Sequence, residues 1–220
     1  MKKLFVCLAN SKKYGERCIA GIEVILAANG NYRVVRDNGQ PKWIRPVSNA
    51  EHGEISAKLV KDIQLFDVVE MEMSAECPRG YQSENVLLDD DHIKSVDKIN
   101  LSKETVEKFL STGLDVIFIN RGKAVPADKI GKVTASLILI KPNNVKFTPV
   151  ANAIGEEKLR AQFQFNGINY DLPITDVDFL KKLGNKLNAL AMYPNFYFTI
   201  SLGVEFKGWY YKLVAGIIYF

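Results

Sequence analysis

Apolar and polar positions alternate with period two, or gather in short apolar runs, along most of the chain. Residues 3–10 and 18–26 are apolar runs rich in β-branched and aromatic residues, which read as strands. Residues 32–36 are short and alternating. Residues 43–47 carry Pro46, the mark of an edge or a strand end. Residues 65–73 end in clean alternation, with Val69, Met71 and Met73 one way and Glu70 and Glu72 the other, so one face is wet. Residues 114–120, 132–141 and 159–165 predict further strands. "QFQFNGINYDLPI" predicts a hairpin turning at Asn166-Gly167. The end, "NFYFTISLGVEFKGWYYKLVAGIIYF", reads as two long strands around a polar loop.

Helices are few. Residues 102–112 have Ser102 as N-cap, Glu104 in the first turn and Gly113 past the end. "PITDVDFLKKLGNKL" has Thr175 as N-cap, Asp178 three residues later and Gly184 as the C-terminal stop. A turn or two of helix fits between residues 49 and 62. The sum is a mainly β chain with a few short helices, arranged as small barrels or a sandwich. No strand–helix alternation is present, which argues against a doubly wound sheet. The seam after residue 112 divides the chain into 1–112 and 113–220.

The first and last hairpins resemble each other. Each is a strand, a polar loop containing lysine and glycine, and a second strand: Cys18-Ile-Ala-Gly-Ile22 in one, Leu213-Val-Ala-Gly-Ile217 in the other. A glycine inside an apolar strand weakens it unless a bulge or a close backbone approach requires it. Finding it twice points to two related β modules.

Composition narrows the picture. The chain has 220 residues, 47% hydrophobic and 25% charged, enough for one large or two small cores. No apolar run is long enough for a membrane helix. The apolar stretch at residues 4–9 is too short for a signal peptide, so a cytoplasmic protein is expected. Cys7, Cys18 and Cys77 are odd in number and lack paired spacing, and His52 and His92 lie far apart. Neither a disulfide framework nor a metal site is expected, and no cofactor is implied. The net charge of +4 hides a division. Residues 1–50 carry nine cations and three carboxylates, residues 51–110 seven and fourteen, and residues 111–220 thirteen and eight. Two basic segments flank an acidic one.

No phosphate loop, dinucleotide fingerprint, zinc-protease helix or nucleophile elbow is present. Asp89-Asp90-Asp91-His92 is the one candidate for a cation or a catalytic centre, and it also reads as an acidic loop after a strand. Binding features are stronger. Cations interleave with aromatics at Lys12, Lys13, Tyr14 and Arg17; at Lys42, Trp43 and Arg45; at Arg79 and Tyr81; and at Lys207, Trp209, Tyr210, Tyr211 and Lys212. Such mixtures bind single-stranded nucleic acid, cations following phosphates and aromatic faces stacking on bases. Against this, Trp43 and Trp209 also suit a core, and Tyr210 and Tyr211 point to opposite faces of a strand.

The stretches "LANSKKYGERCIAG", "WIRPVS", "YQSENVLLD", "LPITDVDF" and "GWYYKLVAGII" span residues 8–218 and resemble the dual OB-containing domain, a bacterial family. The resemblance implies two small OB-like β-barrels in one chain and a role with nucleic acid, beside nucleic-acid-processing or phage-defence partners. It carries no site residue with it. The expected function is therefore non-enzymatic binding of single-stranded DNA or RNA by Lys12, Lys13, Tyr14, Arg17, Trp43, Arg45, Lys207 and Trp209. The alternatives are an interaction module for a partner protein and an enzyme centred on Asp89–His92.

Overall fold

A computed structural model describes the chain apart from residues 152–154, 156 and 184–186, and apart from the side chains of residues 90, 91, 188, 189 and 191. It divides into two compact units, Met1–Ser111 and Thr112–Phe220.

Unit one contains β1 (Lys2–Lys13), β2 (Glu16–Leu26), β3 (Tyr32–Val34), a small ribbon of β4 (Arg36–Asp37) and β5 (Gln40–Pro41), β6 (Trp43–Val47), β7 (Asp67–Glu76), β8 (Asn85–Lys98) and α1 (Lys103–Glu107). Hydrogen bonding runs β1-β7-β8-β6-β2 and returns from β2 to β1, which closes a barrel of five strands with β3 appended to β2. The β6–β8 pairing is parallel and the other four are antiparallel. Numbered as barrel strands one to five, these are β1, β2, β6, β7 and β8. Phe5, Ile19, Ile44, Met71 and Leu88 fill the interior, and Ile55, Val60 and Ile63 plug one end from the segment between β6 and β7. That segment forms turns, not the expected helix.

Gly21 explains one half of the Ala-Gly repeat. A Cβ there would lie 1.8 Å from the Val6 carbonyl oxygen. The β1–β2 register shifts beside it, from Cys7↔Gly21 to Ala9↔Ala20, so an extra residue bulges where the backbones crowd. In unit two, Gly216 faces Thr199 beside the next shift, to Ile200↔Val214.

Unit two contains β9 (Ala124–Pro126), β10 (Leu137–Ile140), β11 (Asn143–Ala151), β12 (Glu157–Phe165), β13 (Ile168–Pro173), α2 (Val177–Leu183), β14 (Phe196–Phe206) and β15 (Trp209–Tyr219). One sheet runs β10-β14-β15-β9 and the other β11-β12-β13. Only Lys141 and the buried Pro142 separate β10 from β11, so together they serve as a bent first strand. The strand order then repeats that of unit one: β10/β11, β12, β13, β14 and β15 as strands one to five. Strands three and five meet in a parallel bridge, Ile174↔Val214. The core packs Phe163, Tyr170, Phe179, Phe196 and Phe198. Both units have the OB-like five-strand order; unit one is closed by a ladder and unit two is a half-open barrel.

Several expectations need correction. Residues 114–120 are irregular, because the Ile117 amide donates to the Tyr170 hydroxyl at 3.2 Å and Phe118 takes φ 57°. Residues 127–132 form a 3-10 turn, which leaves only Leu137–Ile140 of that run as strand. Helix α1 begins as expected, with Ser102 Oγ accepting from the Thr105 amide at 3.1 Å, but it ends at Glu107. Helix α2 is capped by Asp176, which accepts from the Phe179 amide at 2.9 Å; Thr175 instead donates its hydroxyl to Val214 O. Gly184, the expected stop, lies outside the described residues. Asp89–His92 is not a loop: it is a register break inside β8, between Met73↔Leu88 and Met71↔Ile93.

Candidate nucleic-acid interface

In unit one the tip of the first hairpin is a two-residue turn. Tyr14 has φ 48° and Gly15 φ 87°, the type I′ geometry that matches the twist of paired strands. Asparagine is the preferred first residue of such a turn, and it stands there in Asn38-Gly39 and Asn166-Gly167. At the tips of the two repeated hairpins, Tyr14-Gly15 and Lys207-Gly208, a bulky residue takes the left-handed conformation instead. That conformation costs a non-glycine side chain free energy.

The Tyr14 ring is 59% exposed and stacks on His52, centroids 4.0 Å apart. His52 comes from the segment between β6 and β7. That segment is tied under the hairpin by paired Arg17–Ile55 backbone bonds of 3.0 and 2.9 Å. The Lys13 ammonium donates to the His52 carbonyl oxygen. Burial pushes Lys13 below its usual value, and the Arg45 and Arg79 guanidiniums push it the same way, against the pull of Cys18 and Glu54. Lys13 lies on the loop between barrel strands one and two, and Arg79 on the loop between strands four and five. Lys12 and Arg79 are exposed and Arg17 is half-buried.

Trp43 and Arg45 lie inside. Trp43 is 8% exposed and Arg45 3%. Arg45 pairs with Glu84 at 3.0 Å and donates from Nε to Asn85 Oδ1 at 2.7 Å. Asn85 in turn donates to Gln82, which donates to the Tyr81 hydroxyl. Arg45 thus holds the loop that carries Arg79 and Tyr81. Buried β6 offers no surface for stacking: of these two expected contact residues, Arg45 supports the strand-four/five loop and Trp43 is packed inside, opposite Ile22.

In unit two, Lys207 and Trp209 stand on the hairpin between strands four and five. The first hairpin of unit one joins strands one and two. The two hairpins share a pattern but not a place in the barrel. Trp209 is 45% exposed and pairs across the strands with Phe206, which is 60% exposed and carries Lys207 Nζ 5.3 Å from its ring centre. Tyr210 donates to Glu205 at 3.3 Å. Lys212 is fully buried, so it is no surface cation. On the β11-β12-β13 sheet a shallow depression of about 400 Å³ is lined by Asn144, Lys146, Gln162, Gln164, Asn169 and Asp171 above Phe163 and Tyr170.

Sequence reasoning missed His52, Phe206 and this amide row. His52 carried no partner spacing. Phe206 was legible as the residue cross-strand from Trp209. The glutamines alternate with phenylalanines in a segment whose pattern signals only a hairpin.

Among the described residues, no three or more His, Cys, Asp and Glu gather to hold a metal, and no helix is long and apolar enough to cross a membrane. Asp89 is half-buried and His92 exposed.

Two OB-like barrels in tandem, with basic and aromatic residues on their connecting loops, define the class. The chain belongs to the dual OB-containing domain family, whose model matches residues 3–217. No curated protein matches it in sequence. Among solved structures it is similar to a chain of a replication protein A heterotrimer bound to ssDNA, at 7% identity and a TM-score of 0.33, covering 100% of this chain and 48% of that one. It is also similar to the tetrameric p202 HIN2, at 8% identity and a TM-score of 0.29, covering 100% and 92%. The chain spans about half the length of the replication protein A chain. Likenesses this distant carry no functional weight.

Proposed function

We propose that the protein binds single-stranded nucleic acid without catalysing a reaction on it. The supporting observation is the exposed Tyr14 ring stacked on His52 at the tip of the strand-one/two loop of unit one, with Lys12 exposed on the same hairpin and Arg79 exposed on the strand-four/five loop. Those two loops are the ligand-binding loops of OB barrels. Lys12, Lys13, Arg17 and Arg79 follow the phosphates, and the outer face of Tyr14 stacks on a base while His52 backs the inner one. In unit two, Lys207 and Trp209 meet the same kind of ligand, and Gln162, Gln164 and Asn169 offer donors and acceptors to base edges.

Fluorescence anisotropy with labelled DNA and RNA oligomers tests this. Binding at about 50 mM salt that weakens steeply as salt rises is the expected result, because cations on phosphates release counterions. Absence of binding to both at that salt overturns the reading.

A further inference from the structure

A basic segment at residues 120–132 of unit two lies against the last strand. β9 pairs with the start of β15 as Trp209↔Pro126, Tyr210↔Val125 and Tyr211↔Ala124. The contact extends both ways: the Ala127 amide donates to Gly208 O at 2.9 Å, and the Lys212 amide to Lys123 O at 3.0 Å. From the strand, the buried Lys212 reaches back. Its Nζ donates to Asn120 O at 2.7 Å and to Asn120 Oδ1 at 2.8 Å, and lies 5.4 Å from the Tyr170 ring centre. Asn120 closes its own turn, donating to Ala124 O at 2.8 Å and accepting from the Gly122 amide at 3.1 Å.

This is an expensive way to hold a surface turn. A buried ammonium is costly, and burial pushes Lys212 down to about 7 with no charged partner among the described residues. What the turn displays is basic. Arg121, Lys123, Lys129, Lys132 and Lys207 are all exposed, against the carboxylates of Asp128 and Glu205. Beside them Phe206, Trp209 and Pro126 form a row across β14, β15 and β9.

We propose that residues 120–132 and the terminal hairpin form a second strand-binding surface for single-stranded nucleic acid, with Lys212 as its positioning residue. Exposed aromatics flanked by cations suit stacked bases and their phosphates, which an acidic polypeptide lacks. The proposal rests on the reading of the protein as a single-strand binder, and it extends the contact at Lys207 and Trp209 to the basic segment 120–132 and to the Lys212 that positions it.

The test uses the full chain and an oligomer of about 24 nucleotides, long enough for two OB sites. Oligomer anisotropy and intrinsic tryptophan fluorescence are followed together. The expected result is quenching that the Trp209→Phe variant abolishes. The triple variant Lys123→Gln, Lys129→Gln, Lys132→Gln should bind about tenfold more weakly at low salt. Its log–log salt slope should be shallower by about 2, three phosphate contacts at roughly 0.7 each. Lys212→Met should weaken binding in the same direction, while Lys212→Arg should restore part of it. If the anisotropy rises normally but Trp209 is not quenched and the triple variant keeps its slope, this surface is overturned and the wider reading stands. If no oligomer binds, the wider reading falls first. Trp209 quenching by polyglutamate and not by oligomer would overturn the proposal in favour of an acidic partner.

Discussion

The two barrels share a strand order and close it by different chemistry. In unit one, strands three and five form a parallel ladder, Arg45↔Asn85, Pro46↔Val86 and Val47↔Leu87, backed by the buried Arg45–Glu84 pair. In unit two the same seam is a single bridge at Ile174↔Val214. It is reinforced by the Thr175 amide on Val214 O at 2.9 Å and by the Ile217 amide on Asp176 Oδ2 at 2.7 Å. One carboxylate thus caps α2 and stitches it to strand five. A ladder spreads closure over several bonds, whereas unit two concentrates it on a group that titrates. The surfaces differ in parallel. Unit one buries all of strand three and gathers its cations on loops, while unit two exposes an amide-lined face.

The largest way to break this comparison is Gly21→Ala. The new Cβ meets the Val6 carbonyl oxygen at 1.8 Å and Phe5 Cδ2 at 2.7 Å, so β1 must move. Unit one should lose at least about 4 kcal/mol, and unit two nothing. Each unit holds one tryptophan, Trp43 in the first and Trp209 in the second. Denaturation followed by fluorescence, with and without Trp209→Phe, separates the two transitions. Equal loss in both units would show that they do not fold independently.

The pH dependence of unit two comes next. Burial raises Asp176 from 3.8 to about 7, against the amides of Phe179 and Ile217, which favour the anion. Between about pH 4 and 7 the folded unit keeps a proton the unfolded chain has lost, so stability falls as pH rises, then levels off. Burial lowers Lys212 from 10.5 to about 7. Between about pH 7 and 10.5 the unfolded chain keeps a proton the folded unit has lost, so stability rises with pH. Unit two should therefore be least stable near neutrality, each limb spanning on the order of 4–5 kcal/mol. Asp176→Asn should flatten the acid limb and Lys212→Met the basic one. A stability maximum near pH 7 would sink the assignment.

The seam of unit one breaks differently. Arg45→Ala leaves Glu84 buried without its guanidinium and should cost unit one about 3 kcal/mol. It should also loosen the loop bearing Arg79 and Tyr81, which Arg45 holds through Asn85 and Gln82. Loss of stability with oligomer affinity unchanged would show that the loop needs no such support.

The fold was legible where local pattern and tertiary demand agree. Met71 and Met73 alternate with glutamates because one face of β7 is core and the other water. Asn166-Gly167 turns because both residues accept positive φ. Where a distant partner decides, the pattern misled. Leu114-Asp-Val-Ile117 looks like a strand, yet its Ile117 amide is taken by Tyr170, 53 residues away. Asp89–His92 looks like a loop because four polar residues leave the alternation of β8, and only the register of β7 reveals a break inside a strand. Lys42-Trp-Ile-Arg45 reads as a contact surface until Glu84 supplies the partner that lets Arg45 be buried. Single-residue chemistry at the tips was visible, but which barrel loop each tip occupies follows from strand order and not from spacing.

The smallest prediction separates folding from binding at Tyr14. Asparagine suits the left-handed position better than tyrosine, as Asn38 and Asn166 show in the same turn. Tyr14→Asn should therefore leave the stability of unit one unchanged or raise it by a few tenths of a kcal/mol, less what the stack on His52 contributes. The same change removes an exposed ring. If that ring stacks on a base, affinity for a single-stranded oligomer should drop about fivefold, roughly 1 kcal/mol. Lys207→Asn offers the matching test at the terminal hairpin, where a charge and not a ring is lost. There the affinity should fall less at high salt than at low salt, because its contribution is electrostatic. A Tyr14→Asn protein that binds as tightly as the wild type, with its hairpin intact, would mean that the tyrosine is placed there for His52 alone.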